Sequence, residues 1–386
     1  MDTKKAQTKY ILPVLMSFFV MSFCDLVGIG VDRIKPEFNL SNTLAQLIPS
    51  AVFIWFFFLS VPIGILQDRV GKRLVLSIGM GITFIGLMIP FVIYSFNGFL
   101  FGFAMLGIGN TIVQVSANPL LVDVVPLNRA SSFLSLSQFI KAIGSMIAAP
   151  FAGWLAITYG DWKVMFIVFG VVTLVSVVWL GSVKIKETVS TGKRATFSSS
   201  ISLLSVPFIA VMVLGIFLIV GIDVGINSVS GQFFLNKFHS EQTFAELGRS
   251  VYFFGKMLGT FLGAILLTKL APRSFFRWTS IATVACIVAL LIAPGEMAGM
   301  VTIFIIGLAA ANIFPLIFAL TIERYPERSN EISGLMIMAV SGGAVIPLLI
   351  GWLSDSVSLA AGMMVLIACA GFILLASLFT GTKSHV

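Results

Sequence analysis

The sequence predicts an all-α integral membrane protein, with twelve transmembrane helices arranged as two pseudo-symmetric six-helix bundles. Three observations predict it. Of 386 residues, 58% are hydrophobic and only 10% are charged, whereas a soluble chain carries about a quarter charged residues. No charge stands between Arg73 and Asp123, an apolar length of about two bilayer crossings. Further uncharged runs cover 38–67, 164–183, 195–222, 297–322, 332–354 and 356–382. Lastly, the only long polar connector, 184–205, falls after six such spans. A soluble enzyme, a secreted disulfide scaffold and a disordered regulator are all excluded.

The net charge of +8 is spread through short connectors and forms no basic stripe, so the expected partner is a lipid bilayer and not nucleic acid. Cys24, Cys286 and Cys369 lie in apolar stretches and read as buried thiols, not as a disulfide or metal pair. Met1 to Lys5 run into the first span without a small-residue cleavage site, the mark of a retained helix.

Turn and charge signals place the helices near 10–34, 43–66, 74–94, 98–122, 130–157 and 162–183. After the connector they fall near 206–235, 246–270, 277–294, 297–322, 331–354 and 357–380. With both termini inside, inner segments hold seventeen basic residues, Arg69, Lys72, Arg73, Lys184, Arg273 and Arg324 among them. Outer segments hold five: Arg33, Lys35, Lys163, Lys237 and Arg249. The positive-inside bias therefore orients the chain with cytoplasmic termini, as for a bacterial inner-membrane protein.

The boundaries of the halves are expected at 1–183, 184–205 (a cytoplasmic linker) and 206–386. The halves echo one another. Gly107 and Pro126 recur as Gly307 and Pro326, Gly153-Trp154-Leu155 as Gly351-Trp352-Leu353, and Asp25 as Asp223. Parallel duplication of six helices is how a transporter builds a midplane chamber that opens alternately to each side. Pro119, Pro315, Pro347 and Gly342-Gly343 fall within spans and mark candidate gating positions.

Between the second and third helices stands Gly64-Ile65-Leu66-Gln67-Asp68-Arg69-Val70-Gly71-Lys72-Arg73. It is no phosphate-binding loop, since arginine follows the lysine and the glycine spacing is longer. Gly64 would allow close helix approach, Asp68 would pair with basic groups or a helix N-terminus, and Gly71 would permit the tight turn. Arg69, Lys72 and Arg73 complete the motif of a gating loop. The pattern resembles the signature loop of the major facilitator superfamily at every defined position, and that resemblance implies the superfamily's fold.

Within that superfamily, the chain is similar to the fucose–proton symporter group. The resemblance is carried by Phe38-Asn39-Leu40, by Leu47 to Ala51 and by Pro62 to Leu66. It continues through Ser116-Ala117-Asn118-Pro119-Leu120, Ser137-Gln138, Val220 to Val224, Asn312 to Leu320, Gly342 to Pro347 and Ser354-Asp355. It implies sugar transport and carries over Gln138 and the Asn118-Pro119 region. Gly28 and Gln114 stand where that group has acidic residues, so its coupling pattern is not copied here.

A charge near mid-bilayer costs about 2.5–3.5 kcal/mol on insertion scales and needs a partner or a task. Asp25, Lys141, Asp223 and Lys256 qualify, one acid and one base per half. Asp25 facing Lys141 and Asp223 facing Lys256 would leave each half neutral. Asp25 and Asp223 are the candidate cation-coupling carboxylates, with Lys256 a charge partner. The alternative is a set of structural ion pairs. Asp32, nearer the outer end beside Arg33 and Lys35, reads as an ordinary mouth residue.

Asn110, Gln114 and Asn118 recur at intervals of four and form one polar stripe; Gln138 and Lys141 share a face, as do Asp223 and Asn227. Asn110, Gln114, Asn118, Gln138, Lys141, Asn227 and Asn312 are the candidate substrate-binding residues, because amides both donate and accept and suit a hydroxyl-rich ligand. They could equally be glue between helices. Phe53, Trp55, Phe253 and Phe314 are candidate cavity aromatics among 36 phenylalanines.

The expected function is a monomeric secondary transporter importing a monosaccharide or related sugar with a proton or sodium ion, with no cofactor and no metal site. The alternatives are an acidic-sugar symporter, in which Lys141 or Lys256 would bind the carboxylate, and an exporter of amphipathic compounds. His239 and His385 lie in a loop and the tail, and no H-E-x-x-H or G-x-S-x-G motif occurs, which excludes an enzyme.

Overall fold

The computed structural model describes residues 8–125, 130–185, 187, 197–267, 269–325 and 328–379. Among these, every regular element is helical. Eleven helices are long and apolar enough to cross a membrane. They are α1 (Lys9–Glu37), α2 (Leu47–Gln67), α3 (Lys72–Val92), α4 (Phe96–Val124), α5 (Leu136–Tyr159) and α6 (Val164–Ser182), then α7 (Pro207–Phe238), α9 (Pro272–Ile292), α10 (Glu296–Arg324), α11 (Glu331–Ser356) and α12 (Leu359–Phe379). The twelfth, α8 (Gln242–Leu266), is as long as its neighbours. It is more polar because Glu246, Arg249 and Lys256 lie on it, each bonded to another helix. It begins about one turn earlier than the predicted 246–270, since this polar turn looks like loop in sequence.

The halves are equivalent in their packing. Helix α3 packs on α4 and α6, and α2 on α4; six helices later, α9 packs on α10 and α12, and α8 on α10. Between the halves α1 meets α7, α2 meets α11 and α5 meets α8. Shifting by six helices turns the second of these contacts into the third, as a two-fold relationship requires. A Cβ on Gly107 would run into the backbone of Val52, and one on Gly307 into the backbone of Tyr252. Each repeated glycine thus lets the fourth helix of its half press on the second.

Among the described residues, three spans are interrupted. α1 passes through a 3₁₀ segment, Ser22–Leu26, whose preceding carbonyl, on Met21, accepts the Asn110 side-chain amide at 2.7 Å; a side chain inserted into the ladder is a recognised cause of such breaks. α10 breaks between Ala310 and Ile313, where Pro315 has no N–H and its ring would clash with the carbonyl of Ala311. α11 contains a 3₁₀ turn, Ala339–Ser341, just before Gly342-Gly343. Pro119 leaves no such break, and α4 runs unbroken past it. Large apolar side chains such as Phe58, Phe101, Trp154, Val178 and Trp278 point outward, as lipid-facing residues do.

Of the connector 184–205, residues 186 and 188–196 lie outside the described residues, as do Pro126 and Pro326. Asp68 lies in the helix ending at Val70, and its side chain is outside the described set.

Candidate functional site

At mid-depth the 3₁₀ turn of α1 presents Asp25, half-buried. Its Oδ2 accepts the Ser145 hydroxyl of α5 at 2.5 Å, and the Cys24 thiol lies 3.7 Å from Oδ1. The backbone carbonyl of Asp25 accepts the Asn227 amide of α7 at 2.9 Å, across the seam between the halves. In the other half, the Asp223 carboxylate takes the Lys256 ammonium at 2.5 Å and the Tyr252 hydroxyl, both from α8. The pairing read for Asp223 and Lys256 is therefore formed. That read for Asp25 and Lys141 is not: Ser145, one turn along α5 from Lys141, takes the carboxylate oxygen instead. Lys141 is half-buried and within reach of the fields of both Asp25 and Asp223. Gln138, one turn away on α5, is exposed.

The amides divide into two kinds. Asn110 (1% exposed) and Asn312 (4% exposed) are packed between helices, donating to the carbonyls of Met21 and Gly259, each at 2.7 Å. Gln114 is half-buried, its amide nitrogen 3.7 Å from the Met21 sulfur and its Oε1 without a partner among the described residues. Asn118 donates within its own helix to the Gln114 carbonyl at 3.3 Å. Asn227, 1% exposed and bonded to the Asp25 carbonyl, belongs with the packed amides; among the described residues its Oδ1 and that of Asn110 have no hydrogen-bond partner. Among the aromatics, Phe53 and Phe253 are buried, Phe53 stacking on Phe56, while Trp55 and Phe314 are half-buried.

The loop from Gly64 to Arg73 holds the first half together at one end of the bundle, the basic end. Gly71 has φ of 98°, a left-handed value that favours glycine. The carboxylate of Glu187 accepts the backbone N–H groups of Lys72 at 2.5 Å and Arg73 at 3.2 Å, so it caps α3, a position where carboxylates are favoured. Lys72 pairs with Asp123 at 2.6 Å. Arg73 donates to the carbonyls of Leu180 and Gly181 at the end of α6. Gly64 departs from its reading, because a Cβ there would meet nothing within 4 Å; it is not a point of close helix approach.

The opposite end is closed by a network that the sequence reading missed. Asp32 is not a mouth residue. It is 1% exposed, ion-paired with the equally buried Arg249 and hydrogen-bonded by Gln232 at 3.2 Å. Its carboxylate lies so close over Gly231 that a Cβ there would collide with it. Arg33 pairs with Glu246 at 2.6 Å, and Lys35 donates to Gln232 at 2.9 Å. Both oxygens of Asp355 accept from Asn42 and Thr43. Every one of these bonds joins the two halves. The available signal was complementary charge, Asp32 and Arg33 on the first helix against Glu246 and Arg249 on the eighth.

Comparison with known proteins agrees with this architecture. The chain is 25% identical to a glucose/galactose transporter of Brucella abortus, over 95% of this chain and 92% of that protein. It is 23% identical to the L-fucose-proton symporter of Escherichia coli, over 90% and 88%. The fold superposes on a crystal structure of a point mutant of the nucleoside transporter NupG with a TM-score of 0.77 at 12% identity, covering 97% of this chain and 99% of that one. It is a membrane transporter and not an enzyme. The sequence model of the Major Facilitator Superfamily matches residues 14–232, more than half of the length, and the chain belongs to that superfamily.

Proposed function

We propose that this chain imports a monosaccharide or related sugar by symport with a proton or sodium ion, alternating access between the two sides of a bacterial cytoplasmic membrane. Its basic end and both termini face the cytoplasm. The observation that carries the reading is the mid-depth cluster itself. Asp25, Lys141, Asp223 and Lys256 gather where α1, α5, α7 and α8 meet, beside the half-buried Gln114, whose amide oxygen has no partner among the described residues. Ionised groups at that depth are expensive unless they serve a pathway, and amide acceptors suit hydroxyl donors. The names of the glucose/galactose and fucose relatives support a sugar.

Asp25 is the coupling carboxylate in this reading. Among the described residues it meets a hydroxyl and a thiol, whereas Asp223 is committed to an ammonium and a phenol. Gln114, Gln138 and Lys141 contact the substrate, and Asn110, Asn227 and Asn312 hold the helices that carry the site. The test is uptake into proteoliposomes under imposed proton or sodium gradients, with a panel of monosaccharides. Accumulation above the equilibrium level, dependent on one gradient, is the expected result; failure of every sugar under both gradients would overturn the reading.

A further inference from the structure

Three of the four charged groups in the mid-depth cluster have partners. Asp223 is bonded by Lys256 and Tyr252, and Asp25 by Ser145. Lys141 is the exception: among the described residues its ammonium makes no hydrogen bond and no ion pair within 4 Å. It stands on the same face of α5 as the exposed Gln138, and both Asp25 and Asp223 are close enough for their fields to reach it. A half-buried ammonium with no direct partner, one turn from an exposed amide, is free to take an anionic group through charge-assisted hydrogen bonds.

We propose that Lys141 anchors a substrate carboxylate, and that the transported sugar is a carboxylated, monoanionic monosaccharide. The proposal rests on the sugar-symport reading above and narrows it. Lys256 cannot serve, because its ammonium already lies 2.5 Å from Asp223. Charge balance points the same way. With the site empty, two carboxylates offset two ammoniums. A monoanion entering with one monovalent cation keeps that sum at zero, the cation going to Asp25 and the carboxylate to Lys141. A neutral sugar entering with the same cation leaves the cluster one charge positive, in surroundings where uncompensated charge is penalised. The hydroxyls of the ring then reach the amides of Gln114 and Gln138.

The experiment uses the purified full-length protein with glucuronate, galacturonate, their methyl esters, glucose and galactose. Thermal shift reports binding, since a ligand stabilises in proportion to ln(1 + [L]/Kd), and proteoliposome uptake reports transport. Wild-type protein is expected to respond to the uronates and not to the esters or neutral sugars. Lys141→Gln is expected to weaken uronate binding at least tenfold, with Lys141→Arg restoring most of it. If Lys141→Gln does not fold, the esters decide, because they remove the charge at nearly constant size. Equal responses to uronates, esters and neutral sugars would overturn the carboxylate anchor and leave sugar transport standing. No response to any of them, in binding or uptake, would overturn both.

Discussion

Asp32 of α1 and Arg249 of α8 form an ion pair across the seam between the halves, and each side chain is 1% exposed. Removing one member of such a pair leaves the other charge buried and uncompensated, a loss of about 3–5 kcal/mol. Because the pair joins the halves, the loss falls on the state in which this end is shut. Asp32→Asn is therefore expected to open it. The measurement is labelling of a single cysteine at Ser228, fully buried here, by a membrane-impermeant thiol reagent, in a background lacking Cys24, Cys286 and Cys369. Labelling should rise at least tenfold, and the double change Asp32→Asn with Arg249→Gln should reverse part of the rise. Unchanged labelling would show that the pair does not hold this end closed.

Asp355 makes the same seam reversible by chemistry. Its two oxygens accept backbone and side-chain donors of Asn42 at 2.8 and 2.7 Å and of Thr43 at 2.6 Å each. Asp355 is exposed and Asn42 half-buried at the surface, so a short bridging reagent can reach them. Asn42→Cys combined with Asp355→Cys, once bridged, is expected to abolish more than nine-tenths of transport. A reducible bridge should return it on reduction. Transport that survives quantitative bridging would mean the halves do not separate at this end during the cycle.

The twelve-helix plan was legible because hydropathy over twenty residues is a local property. The duplication was legible because Gly107 and Gly307 keep the same packing partner in each half, Val52 and Tyr252. The site was legible only in part. Asp25, Lys141, Asp223 and Lys256 stood out since charge in an apolar span is conspicuous in any sequence. Which acid meets which base depends on helix rotation, which spacing along one helix does not specify; hence Ser145 stands where Lys141 was expected beside Asp25. Asp32 and Arg249 were lost for a related reason. Each lies near a span end, where charges are ordinarily solvated, and only the close approach of α1 to α7 over Gly231 buries them.

Asp25 and Asp223 are alike in sequence but unlike in their partners. Asp25→Asn keeps the size of the side chain and removes its charge while Ser145 can still donate to its oxygen. It is expected to abolish gradient-driven accumulation and to leave substrate exchange across proteoliposomes at half or more of wild type. Asp223→Asn strands the Lys256 ammonium and should lower folded yield and exchange together. If Asp25→Asn accumulates substrate normally per folded molecule, coupling lies elsewhere.

Gly28 offers the sharpest check on how closely α1 and α7 must approach. A Cβ at this position would collide with both the carbonyl and the Oδ1 of Asn227, and would come within 2.9 Å of Arg249 Nε. Two of these obstacles are not free to move: the carbonyl is backbone, and the guanidinium is held by Asp32. Gly28→Ala adds one methyl group and, being helical, costs the helix nothing in propensity. Its whole effect must fall on the closed seam. Transport is therefore expected to drop at least tenfold and labelling at Ser228 to rise, as in Asp32→Asn, with folded yield near wild type. The same substitution leaving transport and labelling unchanged would mean that α1 and α7 are not pressed together in the working cycle, and the closed end would lose its role as a gate.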